Sequence, residues 1–219
     1  SAVTDPVAAD LVESMEKGGP NITGTSDMTP VREQLDLLCS LKPSIKRIGN
    51  IYASGEANSV ALAAIVRDYC QEHSLEYIES TITNSSEARQ ALLSIAGRID
   101  GLYLGNDNTV FSALNGIAEV GIEKKIPIVT ADPSSAETIP VLAALGYDYY
   151  RMGVATGKIV VRILNGEKTA NIPAFLPKES EDMTFVLNLD TARKIGISVD
   201  QSIIDRAKVV ISDDQLVRK

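Results

Sequence analysis

Apolar residues recur at helical spacing from residue 31 onward. Val31, Leu35, Leu38 and Leu41 fall at i, i+4, i+7 and i+10, one face of a helix. Thr29-Pro30 reads as an N-cap with proline at the first helical position, and Lys42-Pro43 ends the segment. Ile48 to Ala53 predicts a strand, followed by a polar loop, Ser54-Gly55-Glu56-Ala57-Asn58. Leu62, Ile65, Val66, Tyr69 and Cys70 mark a second helix, and Tyr77 to Ile82 a second strand. Asn84 with Glu87 three residues later resembles a capping box ahead of Leu92 and Ile95. Gly101 to Gly105 predicts a third strand. Asn106-Asp107-Asn108 then caps a helix carrying Val110, Leu114, Ile117 and Val120 at helical spacing. Ile126 to Ala131 is a fourth strand, cut by Asp132-Pro133.

Short apolar strands alternating with helices predict parallel βαβ units and an α/β, doubly wound parallel sheet. In such sheets ligands sit beyond the carboxyl ends of the strands. The loops there are Ser54–Ser59, Thr83–Ser86, Gly105–Thr109 and Ala131–Ser135, all rich in Ser, Asn, Asp and Thr. These residue types favour helix caps as readily as ligand contacts, so both roles stay open. The later chain changes character. Leu142 to Leu145 reads as a strand, Met152 to Leu164 as a strong helix stopped by Asn165-Gly166, and Ile172 to Pro177 as extended. Lys178 to Asp182 is a charged turn and Phe185 to Leu187 a strand. Asp190 reads as the cap of a short helix ending at Gly196, and the tail from Ser202 to Ile211 is amphipathic.

Composition narrows the chemistry. The 219 residues carry 21 Lys and Arg against 29 Asp and Glu, a net charge of −8. That excess argues against a nucleic-acid partner, which calls for basic patches. No apolar run approaches the ~18 residues of a membrane helix. The one histidine, His73, reads as a helix C-terminal residue whose partial charge suits the dipole. The two cysteines, Cys39 and Cys70, each sit in a helical pattern, and the absence of a Cys/His cluster speaks against a metal site. Both read as buried structural thiols, with a bridge between them left open. No GxGxxG, GxxxxGK[ST] or GxSxG motif follows a strand, so no cofactor is implied and the chain reads as a binding module rather than an enzyme.

Several short stretches carry a family resemblance. They are Val3-Thr4-Asp5-Pro6, Asn21-Ile22-Thr23-Gly24, Glu56-Ala57-Asn58-Ser59, Asp107-Asn108-Thr109-Val110 and Gly146-Tyr147-Asp148-Tyr149-Tyr150, in that order. Asn165-Gly166-Glu167-Lys168 and Leu189-Asp190-Thr191-Ala192 extend the match. The chain resembles the substrate-binding proteins of a class of bacterial ABC transporters, type I periplasmic-binding-fold proteins, some associated with aromatic amino acids. In that family Ser1-Ala2-Val3-Thr4-Asp5-Pro6 falls late in the first lobe, so about 100 residues, a domain's worth, are expected to be missing. The resemblance implies one complete lobe, 28–146 with 171–219, plus remnants of the N-terminal lobe, 1–27 and 147–170. The apolar helix from Met152 to Leu164 would then need other cover, such as dimer contacts with a neighbouring chain.

The resemblance further implies an extracytoplasmic protein, periplasmic or a membrane-anchored lipoprotein. It would capture a small solute, an amino acid and in some members an aromatic one, in an interlobe cleft. Its partners would be ABC transporter permease subunits. A zwitterion wants hydroxyls, backbone N–H groups and helix N-termini for its carboxylate, and a carboxylate for its ammonium. The candidates are Ser54, Asn58 and Ser59 for the first, and Asp107 and Asn108 for the second. Asp132 serves either as an ammonium partner or as a helix cap. Thr4 and Asp5 would belong to the opposing rim, with Asp5 equally a turn residue before Pro6. Glu56 reads as a solvated loop charge. Tyr103, Phe111 and Tyr147 are the rings available for an aromatic wall, or core and hinge packing. A ligand-sensing domain of a regulator or receptor with the same fold is the alternative function, and a small doubly wound enzyme a third.

Overall fold

The computed structural model describes residues 1–175 and 183–219. By contacts the chain divides into two compact units, 1–29 with 147–183 and 30–146 with 184–219. The end of the expected extended stretch and the charged turn at 178–182 lie outside the described residues.

The second unit is built as the hydrophobic pattern predicts. Helix α1 (Val31–Leu41) leads into β1 (Arg47–Ala53), α2 (Ala57–Glu72) and β2 (Glu76–Ile82). A short 3-10 turn and α3 (Ala88–Ile95) precede β3 (Gly101–Leu104). Then come α4 (Asn108–Phe111), α5 (Leu114–Lys124), β4 (Ile128–Thr130), α6 (Pro133–Ala136) and β5 (Ala143–Tyr147). The strands form one sheet, eight among the described residues, in the order β2-β1-β3-β4-β5-β6-β7-β8. β1 pairs in parallel with both β2 and β3, so the chain winds outward in two directions from the β1/β3 boundary. In doubly wound sheets such a reversal, at the strands' carboxyl ends, is where ligands bind.

Alternation along the strands sorts side chains to the two faces. Ile51 and Ala53 of β1 and Leu102 and Leu104 of β3 join Leu92, Ile95, Leu114 and Ile117 of α3 and α5 in one core cluster. On the other face Tyr103 is fully buried, and its hydroxyl donates to Gln34 Oε1 of α1 at 2.7 Å. Gln34 in turn donates to the Leu145 carbonyl of β5 at 2.5 Å, so a buried polar chain ties α1 to two strands.

Several local expectations are corrected. The helix expected to run unbroken after Asn106 is split at Ser112-Ala113, where Ala113 leaves the helical backbone (φ −110°, ψ 8°) and its N–H turns back to the Val110 carbonyl. Val110, Leu114, Ile117 and Val120 stay buried on one face across the break. β6 (Met183–Asn188) leads to α8 (Leu189–Ile195), whose cap is Asn188, accepting from the Thr191 N–H at 2.8 Å. Asp190 lies inside that helix and accepts from the Asp213 and Asp214 N–H groups. The amphipathic tail is α9 (Gln201–Arg206) followed by two strands, β7 (Val209–Ser212) and β8 (Gln215–Arg218). These form an antiparallel hairpin through Asp213-Asp214, both at positive φ as such turns require.

In the first unit, Val3 bridges Ser26, and Thr25 bridges Phe175. α7 (Tyr149–Leu164) begins three residues earlier than the pattern indicated, because Asp148 caps it by accepting from the Tyr150 and Arg151 N–H groups. Met152 and Ile159 are buried, while Tyr150, Val154, Val161 and Leu164 are exposed. The return to the second unit falls at 183/184 rather than 170/171. Thr23 donates to the Ile172 carbonyl, and Phe175 exchanges backbone bonds with Gly24 and Ser26, which keeps 171–175 with the first unit.

Candidate functional site

The loops that follow β1 and β3 meet at the β1/β3 boundary, and three cross-links hold them in register. Asp107, only 3% exposed, accepts from the Ala53 N–H of β1 at 2.6 Å and from the Val110 N–H of α4 at 2.8 Å. Asn58 Nδ2 donates to the Asn106 carbonyl at 2.9 Å. Glu56 Oε1 accepts from the Thr109 hydroxyl at 2.6 Å and from its N–H at 3.3 Å. Glu56 is therefore not the solvated loop charge that the sequence suggested; it ties the first turn of α2 to that of α4.

These links assign roles to the candidates in this unit. Both oxygens of Asp107 serve backbone donors, so it caps α4 and staples that helix to β1. Asp132 caps α6 by accepting from the Ser134 and Ser135 N–H groups, and the Ser135 hydroxyl donates to its second oxygen. Ser54 and Asn108 are exposed on the two loops. Ser59, 3% exposed, is the third residue of α2, and its Oγ has no hydrogen-bond partner. It lines a cavity of about 10 Å³, room for one water, together with Asn50, Leu62, Tyr103, Gly105, Asn106 and Asp107. Among the rings, Tyr103 is core.

The remaining candidates lie in the first unit. The Thr4 hydroxyl donates to Asp27 Oδ1 at 3.1 Å. Asp5 accepts from the Val7 and Ala8 N–H groups, the turn role foreseen before Pro6. The Tyr147 hydroxyl donates to the Met28 carbonyl at 2.8 Å, and that of Tyr149 to Asp27 Oδ2 at 3.1 Å. Asp27 is buried and gripped by two hydroxyls, a grouping missed from sequence because its partners lie 23 and 122 residues away. A larger open groove of about 1090 Å³ runs along α7, lined by Met15, Val154, Ile159, Pro173 and Phe175 with Lys158 beside them. Its walls mix apolar side chains with the charged Glu16, Asp148, Arg151 and Arg162.

The carboxylates at the strand-end rim are engaged by backbone N–H and hydroxyl groups, His73 sits at the C-terminus of α2, and no metal-ligating cluster occurs among the described residues. The arrangement is a doubly wound sheet with polar groups held at its switch point.

The chain belongs to the ABC transporter substrate binding protein family, whose sequence model matches residues 1–211. It is 36% identical over 214 residues to a tyrosine-binding protein of Clostridioides difficile (strain R20291), covering 98% of this chain and 60% of that one. The chain thus spans about 60% of the length of this curated relative. Among solved structures it resembles a conserved domain protein from Vibrio cholerae, with a TM-score of 0.89, 34% identity and coverage of 96% of this chain and 70% of that one. It also resembles an ABC domain in complex with L-Trp from Streptococcus pneumoniae, with a TM-score of 0.87, 30% identity and the same coverage. The fold class is therefore that of type I periplasmic binding proteins. No helix among the described residues is long and apolar enough to cross a membrane.

Proposed function

We propose that this chain is the solute-capturing component of an ABC importer, that its solute is an amino acid with an aromatic side chain, and that it hands the solute to membrane permease subunits from outside the cytoplasm. The observation that carries the reading is the match along nearly the whole chain to relatives named for tyrosine binding and solved with L-Trp. The rim of the second unit supports it, since hydroxyl, amide and helix N-terminal groups suit the head of an amino acid. Binding rather than turnover is the task, and the energetics are those of a ligand that favours the folded, liganded state. A thermal-shift panel tests the proposal. L-tyrosine and L-tryptophan are expected to raise the melting temperature saturably, while pentoses and nucleosides leave it unchanged. A shift with sugars and none with amino acids would overturn the solute class.

A further inference from the structure

We infer that Asn165, at the C-terminal end of α7, is a site of spontaneous deamidation, and that its conversion to isoaspartate unlocks the last turn of that helix. The inference stands apart from the solute reading. Glycine follows asparagine twice in the chain, in two identical tripeptides, Leu114-Asn115-Gly116 and Leu164-Asn165-Gly166. The local sequence is the same, so the structure decides which of them reacts.

The reaction needs only the chain and water. The backbone nitrogen of Gly166 bonds to Cγ of Asn165, and the carbon–nitrogen bond of the side-chain amide breaks. Ammonia leaves with the proton that the Gly166 nitrogen gives up. Water then opens the five-membered imide at either carbonyl, giving aspartate or isoaspartate. One water enters, one ammonia departs, and nothing is oxidised or reduced. A glycine after the asparagine favours the attack because no Cβ shields its nitrogen.

The surroundings single out Asn165. It is the exposed C-cap residue of α7 (φ −80°, ψ 8°), and among the described residues no hydrogen bond holds its side chain. Gly166 is exposed at φ +91°, and the place where a Cβ would stand is open to 4 Å. The helix end is closed by a Schellman pair: the Gly166 N–H donates to the Ile163 carbonyl at 2.9 Å and the Glu167 N–H to the Arg162 carbonyl at 3.1 Å. The Arg162 guanidinium adds two bonds to the Glu167 carboxylate, at 2.7 and 2.6 Å. Freeing the Gly166 nitrogen breaks this closure but uncovers no buried apolar side chain, since Ile163 and Leu164 are already exposed. Terminal turns of that kind open at little cost. Asn115 is exposed too, but Leu114 and Ile117 beside it in α5 are fully buried, so moving its backbone disturbs the core. Conversion at position 165 then works against the closure. It puts a carboxylate at the negative end of the helix dipole, two residues from Glu167. Isoaspartate also lengthens the backbone by one carbon before Gly166, which carries the Gly166 and Glu167 N–H groups off their acceptors.

The test ages the purified 219-residue chain at mildly alkaline pH and follows both sites by peptide mapping with mass spectrometry, folded and in concentrated urea. In the folded chain Asn165 is expected to convert at least about tenfold faster than Asn115, a difference of about 1.4 kcal/mol in barrier. In urea the two sites should convert at similar rates. Hydrogen exchange of the 163–167 amides should quicken in the aged chain and stay constant in an aged Asn165→Gln variant, whose longer side chain forms the imide far more slowly. Equal conversion at the two sites in the folded chain, or a preference for Asn165 that persists undiminished in urea, would overturn the structural assignment. Exchange at 163–167 that is unchanged after conversion would overturn the unlocking of the turn.

Discussion

Asp107 has a structural role that its residue type alone does not reveal. Its carboxylate satisfies backbone donors on two elements inside the fold, so Asp107→Ala removes a helix cap and leaves the buried Ala53 N–H unpaired. A loss of about 2–3 kcal/mol is expected, read as a lower urea midpoint. Asp100 behaves differently because it meets a cation. Hydrogen bonds from the Arg47 side chain and from the Lys46 N–H hold it below its ordinary value of 3.8, against a partial desolvation that opposes the shift. A lowered folded pKa gives stability that is present above 3.8 and lost as pH falls through the folded value. Asp100→Asn should therefore flatten the acid limb of the stability profile, measured by urea unfolding near neutrality and again below pH 3.8. Burial pushes the Cys70 thiol from 9.0 up to about 11 and also raises Cys39. Both thiols are free and protonated at neutral pH, so alkylation by iodoacetamide should run far slower than for a free cysteine, and stability should decline as pH rises from 9 toward 11. At this scale the polar loop residues were legible as caps or ligands but not as one or the other. The choice depends on partners such as Ala53 for Asp107 and Thr109 for Glu56, each 53 or 54 residues away.

The elements were more legible because their signals are local. Helical spacing gave α1, α2 and α5, and apolar runs gave β1 to β4, since each buries one face or lies between two. Asn84 and Glu87 work as a capping pair, with Glu87 also accepting from the Thr83 N–H. Misreadings arose where two signals overlapped. Asn188 and Asp190 are both acceptable caps, and only Asn188 has the extended backbone of an N-cap, while Asp190 is drawn to the β7–β8 turn. The hairpin itself was hidden because Val209 to Ser212 continues the apolar pattern of the helix before it. Close approach leaves a sharper mark. A Cβ on Gly146 in β5 would stand 2.1 Å from the Ala131 carbonyl oxygen, which sits just before the Asp132 cap. Gly146→Ala should cost more than about 3 kcal/mol or prevent folding, seen as loss of a cooperative thermal transition.

At the scale of the whole molecule, the fold class and family were legible early, because short motifs kept their order along the chain and because one sheet organises the second unit. The expectation of a solute-holding role came with the family resemblance and not from the sheet, since a doubly wound sheet serves many functions. The switch point between β1 and β3 gathers the loops after both strands, and the acids there are engaged by hydrogen bonds that tie those loops together. A ligand of the folded state should stabilise it by mass action, by about 2.7 kcal/mol at a hundredfold excess over its dissociation constant. The direct test of the central claim is isothermal titration of the purified chain with L-tyrosine and L-tryptophan, with L-arabinose as the control. The account predicts saturable 1:1 binding of an aromatic amino acid, recovery of that ligand unchanged, and no heat with the sugar. Tight binding of the sugar with none of either amino acid, or chemical conversion of the bound amino acid, would contradict it.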